Sequence, residues 1–390
     1  MDIDLYTPEV IADPWPTLAK IREAGPIVWN ERGYWMSAQD RVCRRIFAHP
    51  EKFSVKPVVP AFFGEEAFIS IDDKARHNEL RLMWSDAFRP ASIARLAQTV
   101  RKIADRMLDP LVERLEAGET VDMVEGLCRH LPAYVIAQML GVPPEMQHMM
   151  IEWSDKMAAS TAGGYDIDYE TDPAWLAGEA AKRDMAAYII ELIQERRARP
   201  AEDLISQMVH SSVGQTLSQD AMVINSRQLM FAGSETTANW LGHIVHVLGK
   251  RPDVRRELNA DRALMRSATE EVLRWEPVVH ALPRTAVGDI EIDGVVVPDG
   301  AAVVPLLGAA NRDPRRHDNP EELDIRRSGP SSLAFGFAIH NCIGIFLARL
   351  EADQTTAAIL DRIPSYELTE AVRYTGFTLR GPTALPIALS

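Results

Sequence analysis

The sequence predicts a mainly α-helical chain with small β-sheets. Three observations carry that expectation. Apolar residues recur with the 3.6-residue period of amphipathic helices over long stretches, strand signals are short and isolated, and Gly or Pro punctuates the helical runs. The composition, 46% hydrophobic and 25% charged over 390 residues, is that of a globular protein rather than a disordered, collagen-like or disulfide-stapled one.

Taken in order, the first strong pattern starts at Ala91. Ile93, Leu96, Val100, Ile103, Met107, Leu111 and Leu115 form one apolar stripe, expected to kink or divide near Pro110. A second segment, 121–140, is expected to break near Pro132 and to stop at Gly141-Val142-Pro143-Pro144. The stretch 149–199 reads as two or three helices around Gly163-Gly164. A long helix begins after Ser218, a good N-cap, and continues to about Gly249, roughly 45 Å at 1.5 Å per residue. Ile290-Glu291-Ile292, Asp293-Gly294 and Val295-Val296-Val297 read as a tight hairpin. A last helix follows Cys342 and runs to about Arg362, before Pro364. Length alone suggests two or three domains of roughly 150 residues. No low-complexity spacer or repeat divides the chain, so one domain over residues 1–390 is expected.

The net charge of −14 argues against nucleic-acid binding, which needs a basic face. No run approaches the ~18 apolar residues of a membrane span. The start, MDIDLYTPEVIADPW, lacks the basic and apolar regions of a signal peptide. A cytoplasmic protein, free of membrane and monomeric, is the expectation. Three cysteines, Cys43, Cys128 and Cys342, are too few and odd in number for a disulfide framework, and buried inert thiols are the plain reading.

Cys342 departs from that reading. It lies in Ala334-Phe335-Gly336-Phe337-Ala338-Ile339-His340-Asn341-Cys342-Ile343-Gly344, a glycine-bearing loop that opens a helix. Helix N-termini hold thiolates, and glycines let a backbone approach a flat ligand closely. A nucleophilic role lacks a local signature of the papain kind, and zinc lacks a second nearby cysteine. A single thiolate ligand to haem iron fits best.

The segment resembles the haem-binding signature of the cytochrome P450 monooxygenases, Phe-Gly-x-Gly-x-His/Arg-x-Cys-x-Gly, with Leu347-Ala348-Arg349-Leu350-Glu351 behind it. The resemblance implies a single-domain P450 fold with haem b between the long central helix and the cysteine-loop helix. It makes Cys342 the axial iron ligand, with no other metal, and His340 a propionate contact. Ala338 stands where the family has glycine, so its Cβ would crowd the haem face or be strained at positive φ, at ~1 kcal/mol.

Three further motifs follow the family order. Glu271-Val272-Leu273-Arg274 alone reads as a surface ion pair. Before Cys342, and followed by Arg284, it resembles the Glu-x-x-Arg motif of the proximal core, and Arg284 falls where the family supplies a propionate-binding arginine. Asn311-Arg312-Asp313-Pro314 and Pro320-Glu321-Glu322-Leu323-Asp324 resemble the segment before the cysteine loop. Glu322 replaces the usual Arg or His of that network, so its carboxylate could accept from Arg274 or another residue completes the set. His77-Asn78-Glu79-Leu80-Arg81 alone reads as a solvated face, whereas the resemblance makes His77 and Arg81 propionate contacts.

Within the long helix, Phe231-Ala232-Gly233-Ser234-Glu235-Thr236-Thr237 is a poor helix interior. The bland reading is a kink with Thr236 bonding back near Ala232. The resemblance makes Glu235 and Thr236 the acid–alcohol pair. Glu235 would help deliver protons, and Thr236 would stabilise the reduced oxygen species on iron. It also places Phe62, Phe63, Phe68, Ile69, Phe231, Ala232, Val278, Val279 and His280 around a substrate pocket, each with a core-packing alternative.

The implied activity is insertion of one oxygen atom from O2 into a small hydrophobic molecule, by hydroxylation or oxidative O-dealkylation. Two electrons would come from NAD(P)H through a ferredoxin or flavodoxin and a reductase. Arg76, Arg89, Arg101, Lys102 and Arg349 are candidates for a basic docking face. The alternatives are a haem-thiolate peroxygenase or ligand-binding protein that does not activate O2 productively, and a helical interaction module without haem.

Overall fold

The computed structural model describes residues 1–160 and 171–390. The expected break at Gly163-Gly164 lies outside the described residues. The chain forms two compact units, each assembled from separated segments. One comprises Met1–Arg81, Leu273–Cys342 and Thr375–Arg380; the other comprises Leu82–Val272, Ile343–Tyr374 and Gly381–Ser390.

The first unit is built on a five-stranded sheet in the order Val28–Asn30, Tyr34–Ser37, Ala302–Pro305, Arg284–Ala286, Phe53–Ser54. Tyr34–Ser37 pairs parallel with Ala302–Pro305, placing Trp35 opposite Val303 and Met36 opposite Val304. Side chains alternate faces along a strand, and the two cores follow that alternation. Met36 and Val304 pack with Leu18, Ile21, Leu306 and Phe377. Val303 packs with Val42, Ile46, Phe53 and Ala286. Arg284 therefore starts an interior strand, pinned between Ala302–Pro305 and Phe53–Ser54. The expected hairpin forms with Ile290 opposite Val297. Asp293 and Gly294 have φ of 50° and 83°, as a two-residue primed turn demands.

The second unit is organised by the helix Gln219–Lys250, whose N-cap Ser218 accepts from Ala221 N–H. The helices His130–Leu140, Pro144–Ala159, Pro173–Ala198 and Ile345–Arg362 pack against it. Close approach needs glycine at Gly242, where a Cβ would stand 2.6 Å from Pro382 Cγ. Trp240 Nε1 donates to Thr269 O at 3.0 Å, and the Tyr366 hydroxyl donates to Val245 O at 2.8 Å.

Two helix boundaries differ from expectation. Pro110 lies inside one helix, Ala97–Glu116. It is exposed there, so water can satisfy the carbonyl that loses its N–H partner; the division instead falls at Arg95-Leu96, after the short helix Pro90–Ala94. The 121–140 segment is a strand Val121–Asp122, a π-turn Val124–Cys128 and the helix His130–Leu140. Pro132 sits in that helix's first turn, where its missing N–H costs little, and Gly141 ends it in the left-handed region.

Candidate functional site

The cysteine loop is shaped by its own backbone. Gly336, at φ +73°, donates its N–H to Leu333 O at 2.8 Å, and Cys342 N–H donates to Phe335 O at 2.9 Å. Between them Ala338–His340 forms a single 3-10 turn. Ala338 has φ +57°, so the backbone strain foreseen at this position is present, about 1 kcal/mol. The helix starts at Ile345, three residues past Cys342. The thiol precedes the helix rather than sitting at its first turn.

Four nitrogen-bearing side chains gather beside this loop. The imidazoles of His77 and His340 meet edge-to-face, centroids 4.7 Å apart. His77 Nδ1 is 3.1 Å from Phe68 O, which fixes the ring, while its Nε2 and both nitrogens of His340 are buried without a hydrogen-bond partner. Burial pushes His340 down to about 3, with the charges of Arg284, His77 and Arg81 adding to it. Arg284 is drawn down to about 10 by burial, Asp72 opposing. Its guanidinium lies over Phe47, 5.0 Å from the ring centroid, and donates to Pro283 O. Arg81 is also lowered by burial, and the Cys342 sulfur acts against that shift. One buried and one half-buried cation, with unsatisfied imidazole nitrogens beside them, together ask for an anion.

Arg274, buried at the end of the helix Met265–Trp275, donates to Asn311 O, Pro320 O and Glu322 O at 2.8–3.0 Å. The Glu322 side chain is exposed. Its main-chain carbonyl accepts, not its carboxylate, which corrects the side-chain expectation. Glu271 is buried on the same helix. Arg312, not singled out in the sequence beyond its Asn-Arg-Asp-Pro setting, binds Trp275 O and Glu321, with its guanidinium over Trp15 and Trp275. Asn311 Oδ1 accepts from Leu333 N at 2.7 Å, tying this segment to the cysteine loop.

In the second unit the segment Phe231–Thr237 stays helical. Thr236 Oγ1 donates to Ala232 O at 2.8 Å, as the bland reading expected, and Ser234 Oγ bonds Met230 O and Ser154. Asn239 Nδ2 donates to Glu235 Oε1 at 3.0 Å. Burial raises the Glu235 carboxyl, the Asn239 bond partly offsetting it. Phe231 is buried and Ala232 exposed.

The remaining pocket candidates lie in the first unit. Phe62 and Phe63 are half-buried and meet edge-to-face at 4.7 Å. Ile69 is half-buried beside Phe68, which is buried against His77. Val278 and Val279 lie on a bridge to Leu379 and Arg380. His280 is wholly buried between Trp15 and Phe377, and a Cβ on Gly308 would reach 2.6 Å from its ring. That is the surrounding of a core histidine rather than of a substrate anchor. Of the basic docking candidates, Arg76, Arg89, Arg101 and Arg349 are each paired with a carboxylate, and Lys102 is exposed.

The sequence profile of the cytochrome P450 family matches residues 41–364. The chain belongs to the cytochrome P450 family. It is 32% identical to the cytochrome P450 monooxygenase PikC of Streptomyces venezuelae, over 99% of this chain and 94% of that protein. It is 34% identical to the mycinamicin IV hydroxylase/epoxidase of Micromonospora griseorubida, over 81% and 78%. Among solved structures, CYP109E1 from Bacillus megaterium in complex with testosterone superposes with a TM-score of 0.89 at 29% identity, covering 98% of this chain and all of that one. P450BioI with an acyl-ligated acyl carrier protein gives 0.90 at 27% identity, covering 98% and 99%. Among the described residues no helix is long and apolar enough to cross a membrane.

The family implies haem, and the residues fit its acidic edge. The two carboxylates of a porphyrin would meet the unsatisfied nitrogens of His77 and His340, the half-buried guanidinium of Arg81 and the buried one of Arg284.

Proposed function

We propose that the chain, acting as one P450 domain over residues 1–390, is a haem-thiolate monooxygenase that inserts one oxygen atom from O2 into a hydrophobic organic molecule. The observation that carries it is the cluster of His77, Arg81, Arg284 and His340 beside the loop that bears Cys342. A bound haem supplies dioxygen activation at iron, with the Cys342 thiolate as its protein ligand.

The chain's own groups have separate tasks in this reading. Arg81, Arg284, His77 and His340 neutralise and orient the carboxylate edge. Arg274 holds the segment that carries Asn311, and Asn311 anchors the loop at Leu333. Glu235, whose carboxyl burial pushes up and so holds its proton more readily, serves as a proton carrier, and Asn239 fixes its carboxyl. Thr236, whose hydroxyl donates to Ala232 O, would be the alcohol of the acid–alcohol pair and hold a proton for delivery together with Glu235. Phe62 and Phe63, which meet edge-to-face, supply apolar surface for substrate. Relatives named as polyketide-biosynthesis and steroid enzymes favour hydroxylation of a polyketide- or steroid-like skeleton. Electrons arrive from NAD(P)H through a ferredoxin or flavodoxin and its reductase.

The test is spectroscopic first. Reduced, haem-loaded protein under carbon monoxide is expected to give the red-shifted Soret band of a thiolate ligand; an ordinary band in its place overturns the assignment of Cys342. In turnover with NAD(P)H and redox partners, Thr236→Ala is expected to divert most reducing equivalents to peroxide. Unchanged coupling counts against Thr236, and turnover supported by peroxide alone would favour a peroxygenase.

A further inference from the structure

The helix Asp40–Ala48 carries a row of side chains that no haem role accounts for. Asp40, Arg44 and Phe47, at positions i, i+4 and i+7, share one face. Arg44 Nε donates to both Asp40 oxygens at 2.8 and 3.1 Å, and its Nη2 donates to Ser331 O at 2.7 Å. Its guanidinium also covers the ring of Phe337, 5.1 Å from the centroid. One side chain thus holds the segment that leads into the cysteine loop, at Ser331, and the middle of the loop, at Phe337. Between those two grips Leu333 packs with Cys43 and Phe47.

Asp40 is itself fixed. Its N–H donates to Asp313 Oδ2 at 3.0 Å, and Arg316 lies 3.6 Å from its carboxylate. Arg44 keeps little exposure, 16% of its side chain, and Asp40 5%. A pair this enclosed, with a bifurcated bond from Nε to both carboxylate oxygens and another from Nη2 to a carbonyl, is worth more than a surface pair. The loop needs such a hold, because Ala338 lies one residue beyond Phe337 in a conformation that an L-residue resists. Phe47, three residues along, lies beneath the Arg284 guanidinium.

We propose that Arg44 is a positioning residue for Cys342: it clamps the loop against the Asp40–Ala48 helix and so keeps the thiolate set for iron. This rests on Cys342 being the haem ligand. Nothing in the bonding of Arg44 reaches the ligand directly, so it acts through Ser331 and Phe337.

The test uses haem-loaded protein with Arg44→Met, which keeps an apolar stem over Phe337 without charge or fork, and Arg44→Lys, which keeps the charge and loses the fork. Two readouts are followed: conversion of the reduced carbon monoxide complex from the red-shifted to the ordinary Soret band on warming, and amide hydrogen exchange. Arg44→Met is expected to speed the conversion about tenfold, and to raise exchange at Gly336 and Cys342 by a similar factor, in line with loss of a charge-assisted hydrogen bond. Exchange within Gln219–Lys250 stays unchanged, and Arg44→Lys falls between. Wild-type band stability in Arg44→Met overturns the proposal, as does exchange that rises equally in Gln219–Lys250, which marks general destabilisation. Absence of the red-shifted band in the wild type would instead overturn the assignment of Cys342.

Discussion

Ala338 shows what one residue can and cannot disclose. The departure from glycine is visible in the sequence; the φ of +57° is not, because it follows from how Cys342 N–H and Gly336 N–H close the loop. Glycine enters this region without the Cβ clash, so Ala338→Gly is expected to stabilise the protein by about 1 kcal/mol, less a few tenths for the greater freedom of the unfolded chain. Differential scanning calorimetry should find a midpoint about 1–2 °C higher. A lower midpoint would mean that the Ala338 methyl makes contacts worth more than the strain. Glu322 and His280 teach the same lesson. Both were legible as positions, but a carbonyl replaces the expected carboxylate at one, and Trp15 and Phe377 enclose the other. Such outcomes depend on partners that lie 48 to 265 residues away in sequence.

At the scale of elements, the long helices were legible and the short strands were not. Gln219–Lys250 announces itself by its N-cap and by apolar periodicity sustained over nine turns' worth of sequence. A strand of two residues such as Phe53–Ser54 has no period to read, and only its partner Thr285-Ala286 defines it. The pairing of the helices Gln219–Lys250 and Ile345–Arg362 exposes a further cost. Glu351 is wholly buried and neither oxygen makes a hydrogen bond of normal geometry. Burial raises its pKa well above the ordinary carboxylate range, the neighbouring Thr237 hydroxyl offsetting only part. The native pKa exceeds the unfolded one, so between the two the native state binds more protons and stability falls as pH rises. Below the unfolded value the effect vanishes. Glu351→Gln removes the ionisation at constant shape. Its melting temperature is expected to match the wild type near pH 4 and to exceed it by a few degrees at pH 8. A difference that does not vary with pH would show that Glu351 is ionised in the folded protein.

At the scale of the whole molecule, the chain is interleaved. The family motifs run in sequence order, which made the candidate site legible early, but the assembly of each unit from distant segments was not, because pairing over hundreds of residues leaves no local trace. In the second unit, Val121–Asp122 pairs with Pro386–Leu389, which pairs in turn with Tyr366–Leu368. The helix Ala97–Glu116 packs on Ile345–Arg362. Arg255 donates to Tyr366 O at 2.6 Å while its guanidinium covers the same ring. A fragment of residues 82–272 keeps Val121–Asp122, Ala97–Glu116 and Arg255 but none of these partners. Its helices would expose the apolar faces that Ile345–Arg362 covers, and helices of this kind draw most of their stability from packing. The fragment is expected to show helical circular dichroism with a broad, non-cooperative melt. Adding residues 343–390 as a separate polypeptide should restore a sharp transition, since that segment returns the helix and both strands together. A cooperative melt from 82–272 alone would mean that the core around Gln219–Lys250 suffices without them.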